Sequence, residues 1–216
     1  MKLTEKLLWL MYPPRCPFCH RFLDGAMAIC PQCEVRLPYI PEGMLDRVSG
    51  NVDAYYSVLM YKGNVRESIH RYKFGGLSLY AGIYAPLMCQ CADENELDAD
   101  IITWVPLSAQ RKRKRGYDQA KLLAEPLAEY MDVPCVPLLK KIRNNPAQSG
   151  AASVEDRHRN VRGAYRYAGA GALDGKRIIL VDDVVTTGST LEECARVLKE
   201  NGAGQILALT FACAMD

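Results

Sequence analysis

No stretch of the 216 residues carries the roughly eighteen uninterrupted apolar residues that a membrane span needs. Charge of one sign is lacking too. Lys plus Arg number 27 and Asp plus Glu 25, for a net +2, so the total supplies no bulk attraction to a polyanion and only local clusters can. Nor is there an internal repeat. The first residues hold Lys2 and Lys6 before Leu7, Leu8, Trp9 and Leu10, but this apolar run stops at Pro13-Pro14 and no small-residue cleavage site follows. Leu3, Leu7 and Leu10 fall at helical spacing, which predicts a short amphipathic helix docked on the body of a cytoplasmic protein. A Gly-Lys-Ser/Thr phosphate loop is also absent, which excludes the commonest nucleotide-binding motif.

Cysteine is abundant, with nine residues. Cys89, Cys91, Cys135, Cys194 and Cys213 are scattered through apolar surroundings and read as buried free thiols. The other four form two pairs, Cys16-Pro-Phe-Cys19 and Cys30-Pro-Gln-Cys33. Two Cys-x-x-Cys pairs match a closed tetrahedral zinc site, which can staple a segment too short to fold on a core of its own. Cys16 to His20 also fits a c-type haem attachment pattern, but that chemistry would strand the second pair. A redox dithiol usually opens a helix after a strand, a context neither pair has. The expectation is structural zinc on Cys16, Cys19, Cys30 and Cys33, in a zinc-ribbon or knuckle module over residues 1–45.

From residue 46 onward, apolar runs alternate with helical patterns. Strands are predicted at 54–61, 101–105, 135–139, 178–181 and 206–212, and helices at 65–74, 79–91 and 119–131. A further helix opens near 189 and stops at Asn201-Gly202, and Pro126 should kink or bound the 119–131 helix. Residues 140–162 are polar, basic and aperiodic, and read as a long loop. Alternating strand and helix, with strands such as Ile178-Ile179-Leu180-Val181 apolar on both faces, predicts an α/β domain over 46–216: a mainly parallel sheet flanked by helices.

One join carries most of the chemistry. The strand at 178–181 runs into Asp182 and Asp183, then Val184, Val185, Thr186, Thr187, Gly188, Ser189 and Thr190. Ligands of parallel sheets bind at the carboxyl ends of strands, and amides of a turn entering a helix hold anions. Gly188 permits close backbone approach, and the hydroxyls add donors. Ser189-x-x-Glu192 has the form of a capping box. Carboxylates repel phosphate, so Asp182 and Asp183 ask for sugar hydroxyls or Mg²⁺. The loop therefore reads as a grip for a phosphorylated sugar. A second strand ends at Val105-Pro106-Leu107-Ser108 and runs into Arg111-Lys112-Arg113-Lys114-Arg115, a basic loop suited to clamp a pyrophosphate.

The segment around Asp182 and Asp183 resembles the signature of the type I phosphoribosyltransferases. The Pro-Leu-Ser turn followed by Arg113-Lys-Arg115-Gly-Tyr-Asp-Gln-Ala resembles the ComF-type proteins associated with bacterial competence. So do the segments from His70 to Gly75, from Gln148 to Gly150 and from Arg157 to Val161. Asp118 stands where that family more often has Asn. Purine-salvage transferases carry an aspartate where this chain has Thr186, which cannot act as an acid or base near neutrality.

The resemblance implies a phosphoribosyl pyrophosphate site with Mg²⁺ and an unidentified acceptor. Asp182, Asp183 and Arg115 would be catalytic, the two aspartates holding ribose hydroxyls or the magnesium. Val185, Thr186, Thr187, Gly188, Ser189 and Thr190 would bind the 5-phosphate. Leu107, Ser108, Arg113 and Lys73 would add substrate contacts, and the loop carrying Arg157 would close over them. The alternative it leaves is a non-catalytic competence factor that uses the site as a sensor. Basic residues at 111–115, 140–143 and 157–166, with Tyr117, Tyr165 and Tyr167 as stacking faces, would then meet single-stranded DNA or a helicase partner.

Overall fold

The computed structural model describes residues 14–24, 27–41, 44–45, 50–143 and 161–214. The expected N-terminal helix, the segment 148–150 and Arg157 lie outside them. Five strands form the main sheet: β1 (Met44–Leu45), β2 (Ala54–Met60), β3 (Ile101–Trp104), β6 (Arg177–Val185) and β7 (Gln205–Cys213). Their order is β1-β2-β7-β6-β3; only β1 runs antiparallel, and the other neighbours are parallel. The expected α/β class is therefore present. β6 and β7 lie inside the sheet and are buried nearly end to end, which explains why their apolar runs do not alternate.

Helices cover both faces. A short α1 (Pro31–Glu34) belongs to the cysteine module, and α2 (Gly63–Phe74) and α3 (Ala81–Glu94) follow β2. α4 (Ala109–Arg115) and α5 (Gln119–Met131) follow β3, and α6 (Ser189–Glu200) joins β6 to β7. Alternate residues of β6 serve opposite faces: Ile179 and Val181 join the cluster under α2, α3 and α5, while Ile178 and Leu180 join that under α6. In the first cluster Tyr84 stacks on Phe211 with centroids 3.9 Å apart, and Tyr72 meets Tyr84 edge-on at 5.3 Å.

Several boundaries differ from expectation. α5 runs through Pro126 as one helix; that residue is solvent-exposed, where water can take the hydrogen bond the ring removes. The predicted strand at 135–139 is only a single bridge, Cys135 to Ile102, and the strand lies later. β4 (Leu139–Lys141) pairs antiparallel with β5 (Tyr165–Tyr167), so the expected loop at 140–162 begins in one strand of a small second sheet and is followed by the other. The basic loop after β3 is helical. Ser108 caps α4 by accepting the Arg111 amide, and Gly116 ends it in the left-handed region at φ 82°. Cationic residues in its last turn suit the negative end of the helix dipole.

The cysteine module is not a separate bead. Cys16, Phe18, Cys30 and Cys33 sit in one apolar cluster with Ile69, Tyr72, Tyr84 and Leu209. The Met60 amide donates to the Pro38 carbonyl, and the Ile40 amide to that of Val58, extending the sheet contacts into the module.

Candidate functional site

The four cysteine sulfurs all lie within 4.8 Å of one another, the only such group of three or more potential metal ligands among the described residues. Two tight turns bring them there. The first folds back through the Cys16 amide on Arg21 O and the His20 amide on Cys16 O, with His20 at φ 63°. The second is the start of α1, where Cys30 O accepts from the Cys33 and Glu34 amides. Cys19 and Cys30 sulfurs stand 3.5 Å apart. Four soft donors at the corners of so small a volume fit a tetrahedral Zn²⁺, and Cys16, Cys30 and Cys33 are buried enough to keep competing water out. Cys89, Cys91, Cys194 and Cys213 are buried thiols, as expected, whereas Cys135 is only half-buried.

A cavity of about 200 Å³ opens at the carboxyl ends of β3 and β6. Parallel register places Trp104 beside Val181, and the Val105 amide donates to the Val181 carbonyl. The turn 105–107 therefore stands alongside Asp182 and Asp183. The acidic pair is inside β6 rather than beyond it, because the strand continues to Val185. Both carboxylates line the cavity. Lys73, at the end of α2, reaches across to Asp183 with Nζ 2.7 Å from Oδ1, both side chains mostly buried. Burial pulls the Lys73 ammonium down, but Asp183 and Asp182 outweigh it and the net shift is upward. Asp182 is pushed well up from the carboxylate range, first by burial and then by the charge of Asp183.

The remaining walls are cationic or polar. Arg111 and Arg115, one helical turn apart on α4, both line the cavity, whereas Arg113 points to solvent from the opposite face. Arg115 donates to Gln119 Oε1 at 2.8 Å and lies 4.7 Å over the Phe74 ring. Asp118 accepts the Leu107 amide at 3.1 Å, which ties the turn to the start of α5; burial raises its pKa. From the small sheet, Lys141 donates to the Tyr165 hydroxyl at 2.8 Å, and both line the cavity.

At the far end, Gly188 caps α6 at φ 79° and Ser189 starts the helix. The expected capping box from Ser189 to Glu192 is therefore not formed, because the N-cap is Gly188, which has no side chain to accept an amide. Glu192 instead accepts from the Asn51 amide and the Tyr55 hydroxyl, at 2.8 and 2.6 Å. Thr187 and Ser189 hydroxyls pair at 2.8 Å, Thr190 lines the cavity, Thr186 is exposed, and the Val185 side chain is in the core.

Of the sequence-derived candidates, the structure gathers Asp182, Asp183, Arg115, Thr190, Lys73 and Leu107 around one cavity. Ser108 is buried as a helix cap. From the basic loop the sequence singled out Arg113 and Arg115 rather than Arg111, it set Lys141 and Tyr165 on a nucleic-acid surface, and it gave Asp118 and Gln119 no contact with substrate, yet all five line the cavity with Arg115. Arg111 was within reach: four residues before Arg115, it shares its face once 109–115 is recognised as a helix.

The phosphoribosyl transferase domain model matches residues 118–215, and the double zinc ribbon domain model matches residues 7–48. The chain is 31% identical over 201 residues to the DNA utilization protein YhgH of Salmonella typhimurium, covering 88% of this chain and 86% of that protein. This chain belongs to the ComF family. Within that family, competence protein ComFC of Bacillus subtilis is 30% identical over 191 residues, covering 87% of this chain and 72% of the relative. Competence protein F of Haemophilus influenzae is 38% identical over 104 residues, covering 47% of this chain and 45% of its own. For this ComF-family chain, the two family models correspond to the cysteine cluster and to the part of the cavity built after residue 118.

Proposed function

We propose that the chain binds phosphoribosyl pyrophosphate with Mg²⁺ in this cavity and transfers the phosphoribosyl group to an acceptor, in the cytoplasm. The carrying observation is the meeting of two carboxylates, Thr190 from the first turn of α6 and a wall of cations around one cavity. The 5-phosphate would take the amides and hydroxyls of 186–190, leading into the N-terminus of α6. Asp182 and Asp183 would hold ribose hydroxyls. The pair also fits Mg²⁺, which characteristically takes one or two carboxylates and completes its shell with substrate oxygens and water. Bound there, the metal would neutralise charge on the pyrophosphate.

Arg111 and Arg115 would face the pyrophosphate. The acceptor forms its bond to C1 as the bond from C1 to the pyrophosphate oxygen breaks, and the departing oxygen keeps the electron pair. Guanidinium groups beside that oxygen stabilise the charge as it builds, so rate comes from positioning and electrostatics. Thr186 offers no acid or base, and an acceptor must lose its own proton to water or to another group. Calorimetry with Mg²⁺ and phosphoribosyl pyrophosphate on wild type and Asp183→Asn tests the binding. The expected result is a signal that the variant loses; equal binding by both would refute the reading. Pyrophosphate release with a panel of nucleobases tests turnover.

A second reading is favoured by Arg113. It lies with Lys112 and Lys114 on the exposed face of α4, away from the cavity, and Lys140, Arg143, Arg162 and Arg166 are also exposed. Such a surface suits phosphates outside the cavity, as a competence factor handling single-stranded DNA or docking a helicase would need. The proposed stacking tyrosines support it less. The Tyr117 hydroxyl donates to Tyr72 O, Tyr165 is buried, and the Tyr167 hydroxyl donates to Gly171 O at 2.6 Å. Neutralising Lys112, Arg113 and Lys114 together should lower the salt slope of single-stranded oligonucleotide binding by about 2 if all three meet phosphates. An unchanged slope removes α4 from the interface.

A further inference from the structure

Three consecutive residues at the end of α2 touch three parts of the molecule. Arg71 Nη2 donates to the carbonyl of Pro17, inside the loop between the first two cysteines, at 2.8 Å. Tyr72, fully buried, donates to the Gln119 carbonyl at 2.9 Å, at the start of α5. Lys73 meets Asp183 at 2.7 Å. The cysteine loop and the acidic pair are thus joined through less than one helical turn. The same route is packed: the Phe18 and Tyr84 rings lie 6.3 Å apart, those of Tyr84 and Tyr72 5.3 Å, and those of Tyr72 and Tyr117 5.9 Å.

The Lys73 ammonium sits against a carboxylate that the proposed substrate complex needs for a metal or for ribose hydroxyls. In the free protein it therefore serves as the resident cation of Asp183. A divalent ion arriving there must displace it or bind against its charge. How firmly Lys73 holds its place depends on the end of α2, and Arg71 is what ties that end to the cysteine loop. Its other charged neighbour, Glu67, is an exposed i,i+4 partner 3.8 Å away, whose contact is weak by comparison.

We infer that Arg71 is a positioning residue that couples the cysteine-bound zinc loop to the acidic pair, by holding Lys73 on Asp183 as a built-in competitor of the divalent cation. The inference rests on the reading of Asp182 and Asp183 as a cation site, and it deepens that reading by naming what sets its affinity.

The test uses the zinc-loaded full-length protein and Mn²⁺ alone, titrated by electron paramagnetic resonance. Lys73→Met keeps the stem and removes the charge, and should tighten Mn²⁺ about tenfold, as expected for deleting a charge next to a ligand carboxylate. Arg71→Leu should tighten it in the same direction by about threefold, and Arg71→Lys, which can still reach the Pro17 carbonyl, should restore wild-type affinity. The double variant Arg71→Leu, Lys73→Met should bind Mn²⁺ no better than Lys73→Met alone, because Arg71 acts only through Lys73. A purely structural role for Arg71 predicts no such collapse of its effect.

Unchanged or weaker Mn²⁺ binding in Lys73→Met overturns the inference, as does an Arg71→Leu effect that persists undiminished in the double variant. If the Mn²⁺ pattern holds while phosphoribosyl pyrophosphate gives no calorimetric signal, the coupling stands and the substrate reading falls. The opposite pairing of results spares the substrate reading and removes the coupling.

Discussion

The cysteine cluster and the acidic pair proposed as a cation site are built in opposite ways. The four sulfurs of the cysteine cluster converge within 4.8 Å of one another, placed to share one metal ion. The two carboxylates of β6 carry a protein cation already, Lys73, and line a cavity that also holds Arg111, Arg115 and Lys141. A permanent staple should be preassembled and closed. A site that loads and unloads a charged substrate should be tolerable when empty, and an internal ammonium makes it so. On the proposed reading, the structural and the working cation site differ less in their ligands than in what neutralises them when nothing is bound.

The sharpest way to break this contrast is to remove one ligand from the closed cluster. Cys33→Ser should lose zinc and, because the cluster shares its core with α2 and α3, lower Tm by about 10 °C. Metal content with a thermal melt checks this, and a variant that kept its Tm without zinc would make the module dispensable. The open site is probed next through its arginines. Arg111→Ala should weaken phosphoribosyl pyrophosphate binding about tenfold and Arg113→Ala should leave it unchanged, since only Arg111 lines the cavity. Equal losses in calorimetry would mean that the helix turns differently when loaded.

A substitution at the open site should also be able to stabilise. Asp182 is held in its folded environment with a raised pKa, so the folded state binds more protons than the unfolded one and stability falls as pH rises. Asp182→Asn removes that penalty and should raise Tm by a few degrees, about 1 kcal/mol, at pH 8. The gain should shrink as pH falls and vanish below about pH 3, where the aspartate is protonated in both states. Melts across this range decide it, and a loss at pH 8 would show that the charge is needed for folding. The smallest effect concerns the scaffold of the cationic wall: Ser108→Ala should cost about 1 kcal/mol through its lost cap on α4, read from chemical denaturation.

Legibility in the sequence followed from how much side-chain pattern each element needed. β2, α2, α5, β6 and β7 carry long apolar patterns and were readable to within a few residues. α4 was not, because Gln110 to Arg115 has no apolar periodicity. Its helix is made by a cap at Ser108 and a left-handed stop at Gly116. β4 and β5 were invisible for another reason: three residues each, more than twenty apart, leave no local alternation to detect. At the site, Asp182, Asp183 and Arg115 were legible because the chemistry needs those residue types. Lys141, Tyr165 and Asp118 reach the cavity only through tertiary placement. The salt link of Lys73 to Asp183 joins residues far apart in sequence, and nothing local announces it.

The apolar seam between the cysteine loops and α2 and α3 also bears on cooperativity. Phe18 is 1% exposed and shares its contacts with the rings that support β7, so the ribbon cannot melt without uncovering the body. Heating should then give one calorimetric transition rather than two. Any event that opens the ribbon, whether chelation or thiol oxidation, would be felt as a loss of the whole fold's reserve of stability.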